Sequence, residues 1–211
     1  MPPGTVAPSP PTGSGARSWR QVEFAALDFE TTGLDLRTDE VVSFGVVPIT
    51  HGRIAMRGAV HQLVAPPVPP SPRSQTIHQL RPQDLAGAPD LVHARERLRE
   101  SLEGRFLLVW FAEIELHFLR QIFGGSARRW RRRTIDVRNL AIAFEGQPRE
   151  RRQQRGYALS ASAERHGVPV ADAHDALDDA LVTAQLFLVL ATGLRTGGQA
   201  SLRNLRRTAA T

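Results

Sequence analysis

The chain has 211 residues, long enough for one well-cored domain and short for two. It carries 27 basic against 21 acidic side chains, every basic one an Arg, and a formal net charge of +6 that fits a polyanionic partner. Absence of Cys excludes disulfides and thiolate metal sites, leaving oxygen and imidazole as the available ligands. No apolar run approaches the roughly 20 residues of a membrane span, and the N-terminus lacks a signal-peptide pattern. A cytoplasmic setting away from membranes is expected.

Met1 to Ser18 is rich in Pro, Gly and Ser and reads as a disordered tail. Apolar residues over Val22–Glu30, Val41–Ile49 and Ile54–Val64 predict three strands, the last two joined by a turn at His51-Gly52. Pro66 to Pro72 is a proline-dense loop that cannot continue a sheet. A short helical or turn segment opens at Ile77-His78 and runs toward Leu85. Leu91, Ala94, Leu98 and Leu102 form the stripe of an amphipathic helix within Pro89–Glu103. Phe106–Phe111 is a continuous apolar run, as a central strand covered on both faces requires. Helices are expected over Glu115–Ile122, Ile135–Phe144, Ser160–His166 and Asp175–Leu190, followed by a loose basic tail. The expected division is a tail at 1–18, one domain at 19–193 and a basic flexible tail at 194–211. This element order specifies an α/β fold with a mixed sheet.

Two carboxylates, Asp28 and Glu30, interrupt the first apolar strand, where an unpaired buried charge would cost on the order of several kcal/mol. Side chains at i and i+2 of a strand share a face and lie roughly 7 Å apart. Both can therefore reach a pair of divalent cations held about 4 Å apart, as in two-metal phosphoryl-transfer sites. Thr31-Thr32-Gly33 ends the strand and brings bare backbone near the pair. Far downstream, Asp179 sits beside the apolar stripe of the last helix, and Asp175 occupies an N-cap or first-turn position. His174, just before that helix, is the side chain suited to take a proton from water near neutral pH.

These residues carry a resemblance. Asp28-Phe29-Glu30-Thr31-Thr32-Gly33 resembles the first motif of the DnaQ-like 3′–5′ exonucleases, and His174 through Asp179 resembles the third motif of their DEDDh subgroup. Ser74-Gln75-Thr76-Ile77-His78 with Leu80 is similar to the family's segment that touches the terminal nucleotide. The likeness runs from Glu23 to Leu190 and implies a ribonuclease H-like fold with a five-stranded mixed sheet flanked by helices. It implies removal of nucleoside monophosphates from a 3′ end with two Mg²⁺ or Mn²⁺ ions. Asp28, Glu30 and Asp179 would hold the first metal, with Asp28 bridging to the second, and His174 would deprotonate the attacking water. Thr31, Leu34 and His78 would position the terminal nucleotide, with Thr32, Gly33, Ile77 and Ile114 in the same subsite.

The middle motif departs from the family's His-Asn-x-x-Phe-Asp-x-x-Phe-Leu. Phe118-Leu119 fixes the register, so Glu115 stands in the Asp position, Ile114 in the Phe position, and Trp110-Phe111 replace His-Asn. Glu115 is read as a ligand of the second metal on an arm longer by about 1.5 Å; a helix-start charge, with Glu113 as the substitute ligand, is the competing reading. Trp110 and Phe111 read as core filling or as base-stacking side chains. Arg128 to Arg133, with Trp130 among them, is either a single-strand nucleic-acid platform or a solvated loop. Asp136 reads as a helix cap. The function expected is 3′–5′ hydrolysis of single-stranded DNA, alone or recruited by a polymerase or repair partner. RNA 3′-end trimming and a non-catalytic nucleic-acid-binding or regulatory module on the same scaffold are the alternatives.

Overall fold

The computed structural model describes residues 6–11, 17–33, 35–146, 157–170, 174–194 and 201–210. Its frame is a mixed sheet of β1 (Phe24–Thr31), β2 (Val41–Thr50), β3 (Arg53–Ile54), β4 (Val60–Leu63), β5 (Phe106–Val109) and β6 (Thr134–Asp136). The order across the sheet is β3-β2-β1-β5-β6, and β4 also pairs with β2. β1 and β2 are antiparallel, whereas β5 and β6 run parallel to β1. The sheet has six strands instead of the five expected, for two local reasons. A 3₁₀ turn at Met56–Gly58 splits the expected third strand into β3 and β4. Thr134–Asp136, expected at the head of a helix, adds a short edge strand. His51 and Gly52 adopt positive φ of 53° and 70°, the left-handed turn that closes the β2–β3 hairpin as expected.

The described helices are α1 (Pro72–His78), α2 (Pro82–Leu85), α3 (Leu91–Leu102), α4 (Ala112–Phe123), α5 (Ala127–Arg131), α6 (Val137–Phe144), α7 (Leu159–Arg165), α8 (Ala176–Gly193) and α9 (Leu202–Ala210). They cover both faces of the sheet, because β1 and β2 are apolar on both. Ala25, Leu27 and Phe29 pack with α3 and α4 through Leu98, Leu102, Phe118 and Leu119. Phe24 and Ala26 face the other way, into α6, α8 and α9 through Leu140, Phe187, Leu190 and Leu205. By length and hydropathy α8 could cross a membrane. Here it is a core helix, packed on β1 and β2 and carrying Asp178 and Asp179 in its first turn.

Two further expectations are corrected. The C-terminal segment read as a flexible basic tail contains α9, whose Leu202, Leu205 and Ala209 are buried against the α6–α8 layer. Each buried Leu contributes about 1.5–3 kcal/mol, enough to dock a short helix whose other positions are Arg-rich. Part of the N-terminal segment also packs. Arg133, buried, donates to the carbonyls of Pro8 (3.0 Å), Leu102 (2.6 Å) and Arg105 (2.8 Å). Trp130 is 1 % exposed and donates from Nε1 to Gly124 O at 2.9 Å, so it belongs to the core and not to a base-stacking platform.

One glycine determines how α8 meets the sheet. Gly45 lies directly across from Asp28 in the β1–β2 register. A Cβ on Gly45 would sit 2.0 Å from the carbonyl oxygen of Ala176 and 2.4 Å from Leu177 N, both backbone atoms. Only a hydrogen there lets the first turn of α8 descend beside Asp28. Gly45→Ala is expected to destabilise the fold by about 1–3 kcal/mol, the range for overpacking a core, and to impair activity further by displacing Asp179. Thermal melts and initial rates on the same preparation check both effects, and an active variant of unchanged stability would contradict the role.

Candidate active site

The two-residue period of β1 places Asp28 and Glu30 on the Phe24–Ala26 face, under α8. Pairing between β1 and β5 stops at Ala26–Leu108, so the strands part just before Asp28 and open a cleft at their C-terminal ends. α8 enters this cleft from one side. Asp175 caps it, accepting from Leu177 N (2.9 Å) and Asp178 N (3.2 Å), and Asp179 follows one turn on. His174 precedes the cap with φ of 72°, and its N–H donates to Asp179 Oδ2 at 3.3 Å. Ligand atoms of Glu30, His174 and Asp179 all lie within 4.8 Å of one another. From the other side the first turn of α4 brings in Glu115, 5 % exposed, while Glu113 stays at the surface.

The electrostatics follow from this convergence. Burial, then the neighbouring Glu30, Glu115, Asp179 and Asp175, push the Asp28 carboxyl far above the usual carboxylate range. Burial is also the main cause for Glu30, raised to about 8 with help from Asp179 and Asp175. Glu115 rises to about 8 by burial, with Asp136 and Glu30 adding to it. Asp179 is raised by burial, opposed by the His174 backbone hydrogen bond. Every charge acting on Asp28 is another carboxylate, and Glu115 Oε2 is buried without a hydrogen-bond partner among the described residues. A group of hard oxygen donors, mutually repelling and without an Arg paired to it among the described residues, fits divalent cations.

A pH dependence of stability follows. Glu30 and Glu115 have folded pKa values near 8 against 4.5 for the free side chain. A raised folded pKa gives stability that is fully present below the unfolded value and is lost as pH rises through the folded one. The metal-free protein should therefore melt at progressively lower temperature between pH 5 and pH 8.5. Mn²⁺ at about 100-fold over its dissociation constant should restore about 2.7 kcal/mol at pH 8.5, roughly 5–10 °C in a chain of this size. Much less recovery is expected at pH 5, where protons hold the carboxylates. Scanning calorimetry with and without Mn²⁺ reads this directly, and a metal effect independent of pH would contradict it.

The other expected site residues divide. Thr31 Oγ1 donates to Gly33 O at 2.6 Å, leaving its backbone at the end of β1. His78, buried in α1, accepts from Leu80 N through Nδ1 (3.0 Å), while Nε2 has no hydrogen-bond partner among the described residues. Burial lowers its pKa, opposed by hydrogen bonding to the backbone of His78 and Thr31, with His174 adding to the lowering. Ile77 is 37 % exposed beside it, and Ile114 is half-buried on α4. Thr32 is a strut: its hydroxyl donates to Asp39 (2.8 Å) and accepts from Glu40 N (3.0 Å), while its carbonyl accepts from Ser74 Oγ (2.7 Å). At Gly33 a Cβ would lie 2.6 Å from the Asp39 carboxylate, so a side chain there would have to displace Asp39 from Thr32 and Asp35 N. Leu34 lies outside the described residues. Trp110 is core filling, 8 % exposed and stacked on Tyr157 at 6.3 Å.

Asp136 does more than cap. Its Oδ1 accepts from Asn139 N of α6 (2.8 Å) and its Oδ2 from Ala112 N of α4 (3.0 Å), tying the turn that carries Glu115 to the sheet. Burial raises its pKa to about 6.

The fold, a mixed six-stranded sheet flanked by helices, is ribonuclease H-like. The family model described as an exonuclease, RNase T type, matches residues 25–187, and the chain belongs to that family. It is 32 % identical over 175 residues to the PolC-type DNA polymerase III of Thermotoga petrophila, covering 81 % of this chain and 12 % of that protein. To the 3′-5′ exonuclease DinG of Staphylococcus saprophyticus it is 26 % identical, over 79 % of this chain and 18 % of the relative. The chain thus spans less than a fifth of these relatives' length. Among solved structures, the nuclease domain of 3′hExo, a DEDDh family member bound to rAMP, superposes with TM-score 0.68 at 17 % identity, covering 87 % of this chain and all of that one.

Proposed function

We propose that this chain is a metal-dependent 3′–5′ exonuclease releasing nucleoside monophosphates from nucleic-acid 3′ ends, single-stranded DNA first among them. The observation that carries this reading is the convergence of Asp28, Glu30, Asp179 and Glu115, from one strand and two helices, beside His174. These four carboxylates would hold two Mg²⁺ or Mn²⁺ ions, which when bound polarise the phosphoryl group and stabilise the departing 3′ oxygen. His174, exposed at the mouth, takes the proton of the attacking water. Thr31 backbone and His78 orient the terminal nucleotide, with Ile77 and Ile114 as its apolar walls. The names of the DinG relative and of the mononucleotide-bound 3′hExo domain support the polarity and the product. The PolC relative supports recruitment by a polymerase or repair partner, and a Cys-free chain suits the cytoplasm. RNA 3′-end trimming is the second reading, favoured by the ribonucleotide in the 3′hExo domain.

The test is a 5′-labelled 20-mer with Mg²⁺ or Mn²⁺, DNA and RNA side by side. A ladder shortening from the 3′ end and stopped by chelation is expected; an inert wild type that still binds the strands would overturn the reading. Glu115→Asp shortens one buried arm by about 1.5 Å. Activity within a few-fold of wild type, or above it, is expected from steady-state rates. A collapse would mean that the centre is built around the longer arm, since misplacement by about 1 Å can cost 10²-fold.

A further inference from the structure

The turn of α4 that presents Glu115 to the cleft also walls a second hollow, of about 850 Å³, at the β6 edge of the sheet. Its lining includes the exposed Arg120 from α4 and Arg131 from α5, Arg206 from α9 and the buried Arg138 from α6. Arg120 and Arg131 are exposed and stand outside every ion pair among the described residues. Arg206 lies over the Phe106 ring at 5.8 Å. His117 joins the lining, and its Nε2 is buried without a hydrogen-bond partner among the described residues. The acidic members are Asp136, occupied by two backbone amides, and Glu113 at the surface.

A hollow of this volume suits a ligand of nucleotide size or larger. Cations supplied by four separate helices around it suit an array of phosphates better than one anion, and the Arg fork pairs with phosphate through two donors. The groove adjoins the carboxylate centre, because Asp136 and Ala112, joined by the 3.0 Å hydrogen bond, line it at the turn of α4 that carries Glu115. We propose that this groove binds the sugar–phosphate backbone of the nucleic-acid strand whose 3′ end enters the carboxylate centre. The inference rests on the exonuclease reading above and adds the path of the strand beyond its terminal nucleotide. Its recognition is of phosphate, so DNA and RNA strands share it.

The experiment compares wild type with Arg120→Gln/Arg131→Gln, which alters only exposed side chains and spares the packing of α9. Two substrates are used with Mn²⁺: a 20-mer, as DNA and as RNA, and the p-nitrophenyl ester of thymidine 5′-monophosphate, which when held at the carboxylate centre is too short to extend into the groove. The variant should raise KM for both 20-mers by about tenfold or more at 100 mM salt. The slope of log KM against log salt should fall by about 1.4, since each phosphate contact to a single strand contributes about 0.7. Turnover of the ester reports the state of the centre and should stay within about twofold. Unchanged KM and slope for the 20-mers would overturn the groove. If wild type hydrolyses neither substrate, the exonuclease reading fails; anisotropy of a labelled 20-mer then tests the groove through the same difference in salt slope.

Discussion

Asp28→Asn is expected to lower hydrolysis by about 10³-fold or more while raising the melting temperature of the metal-free protein at pH 8. The first effect follows from losing the one carboxylate that every other member of the cluster faces, where cation binding supplies several kcal/mol, each 1.36 kcal/mol being tenfold in rate. The second follows from the same crowding. Asp28 is desolvated among Glu30, Glu115, Asp179 and Asp175, so an uncharged isostere relieves a repulsion that folding otherwise has to overcome. Opposite signs separate catalysis from folding, as expected where a site is built against stability. Strand binding measured by anisotropy should persist. A variant that is both inactive and less stable than wild type at pH 8 would show that Asp28 is a structural acid with a partner.

His174→Ala should reduce turnover near neutral pH by about 10²–10⁴-fold, the span of general acid–base contributions. Its position permits a rival role, because its ring stands within 4.8 Å of Glu30 and Asp179 ligand atoms and could itself bind a metal. The two roles separate on affinity. As a base, His174 can be removed with Mn²⁺ affinity kept within about threefold, and the residual rate should climb with pH as hydroxide replaces the missing proton acceptor. As a ligand, its loss would weaken Mn²⁺ binding at the concentrations where wild type is saturated. Calorimetric titration beside a pH–rate profile decides between them, and unchanged turnover would remove His174 from the reaction.

Much of the centre was legible because charge in an apolar context is costly. Asp28 and Glu30 break a buried strand, and Asp179 sits at the margin of a buried helical stripe; such residues are retained only with partners or a task. Glu115 was legible through the Phe118-Leu119 register, although only its burial against the exposure of Glu113 separates the two candidates. Gly45 gave no comparable signal. A glycine within a strand marks a bulge or a close approach alike, and its partner, the start of α8, lies far away in sequence. Asp136 was legible as a cap but not as the tether of α4, since Ala112 N is a backbone group with no signature. Composition misled at both ends. Pro- and Arg-rich stretches hid sparse anchors such as Leu202 and Leu205, and Trp130 among arginines resembled a stacking surface while filling the core. β6 escaped because three residues running straight into a helix show no period of their own.

The most direct test is anomalous diffraction from crystals of the full chain soaked with Mn²⁺ and a nucleoside 5′-monophosphate. Two Mn²⁺ peaks ringed by oxygens of Asp28, Glu30, Asp179 and Glu115, with the His174 ring beside the phosphate, are the result this account requires. A cleft closed by an arginine paired to those carboxylates, or Mn²⁺ found only elsewhere on the surface, would contradict it.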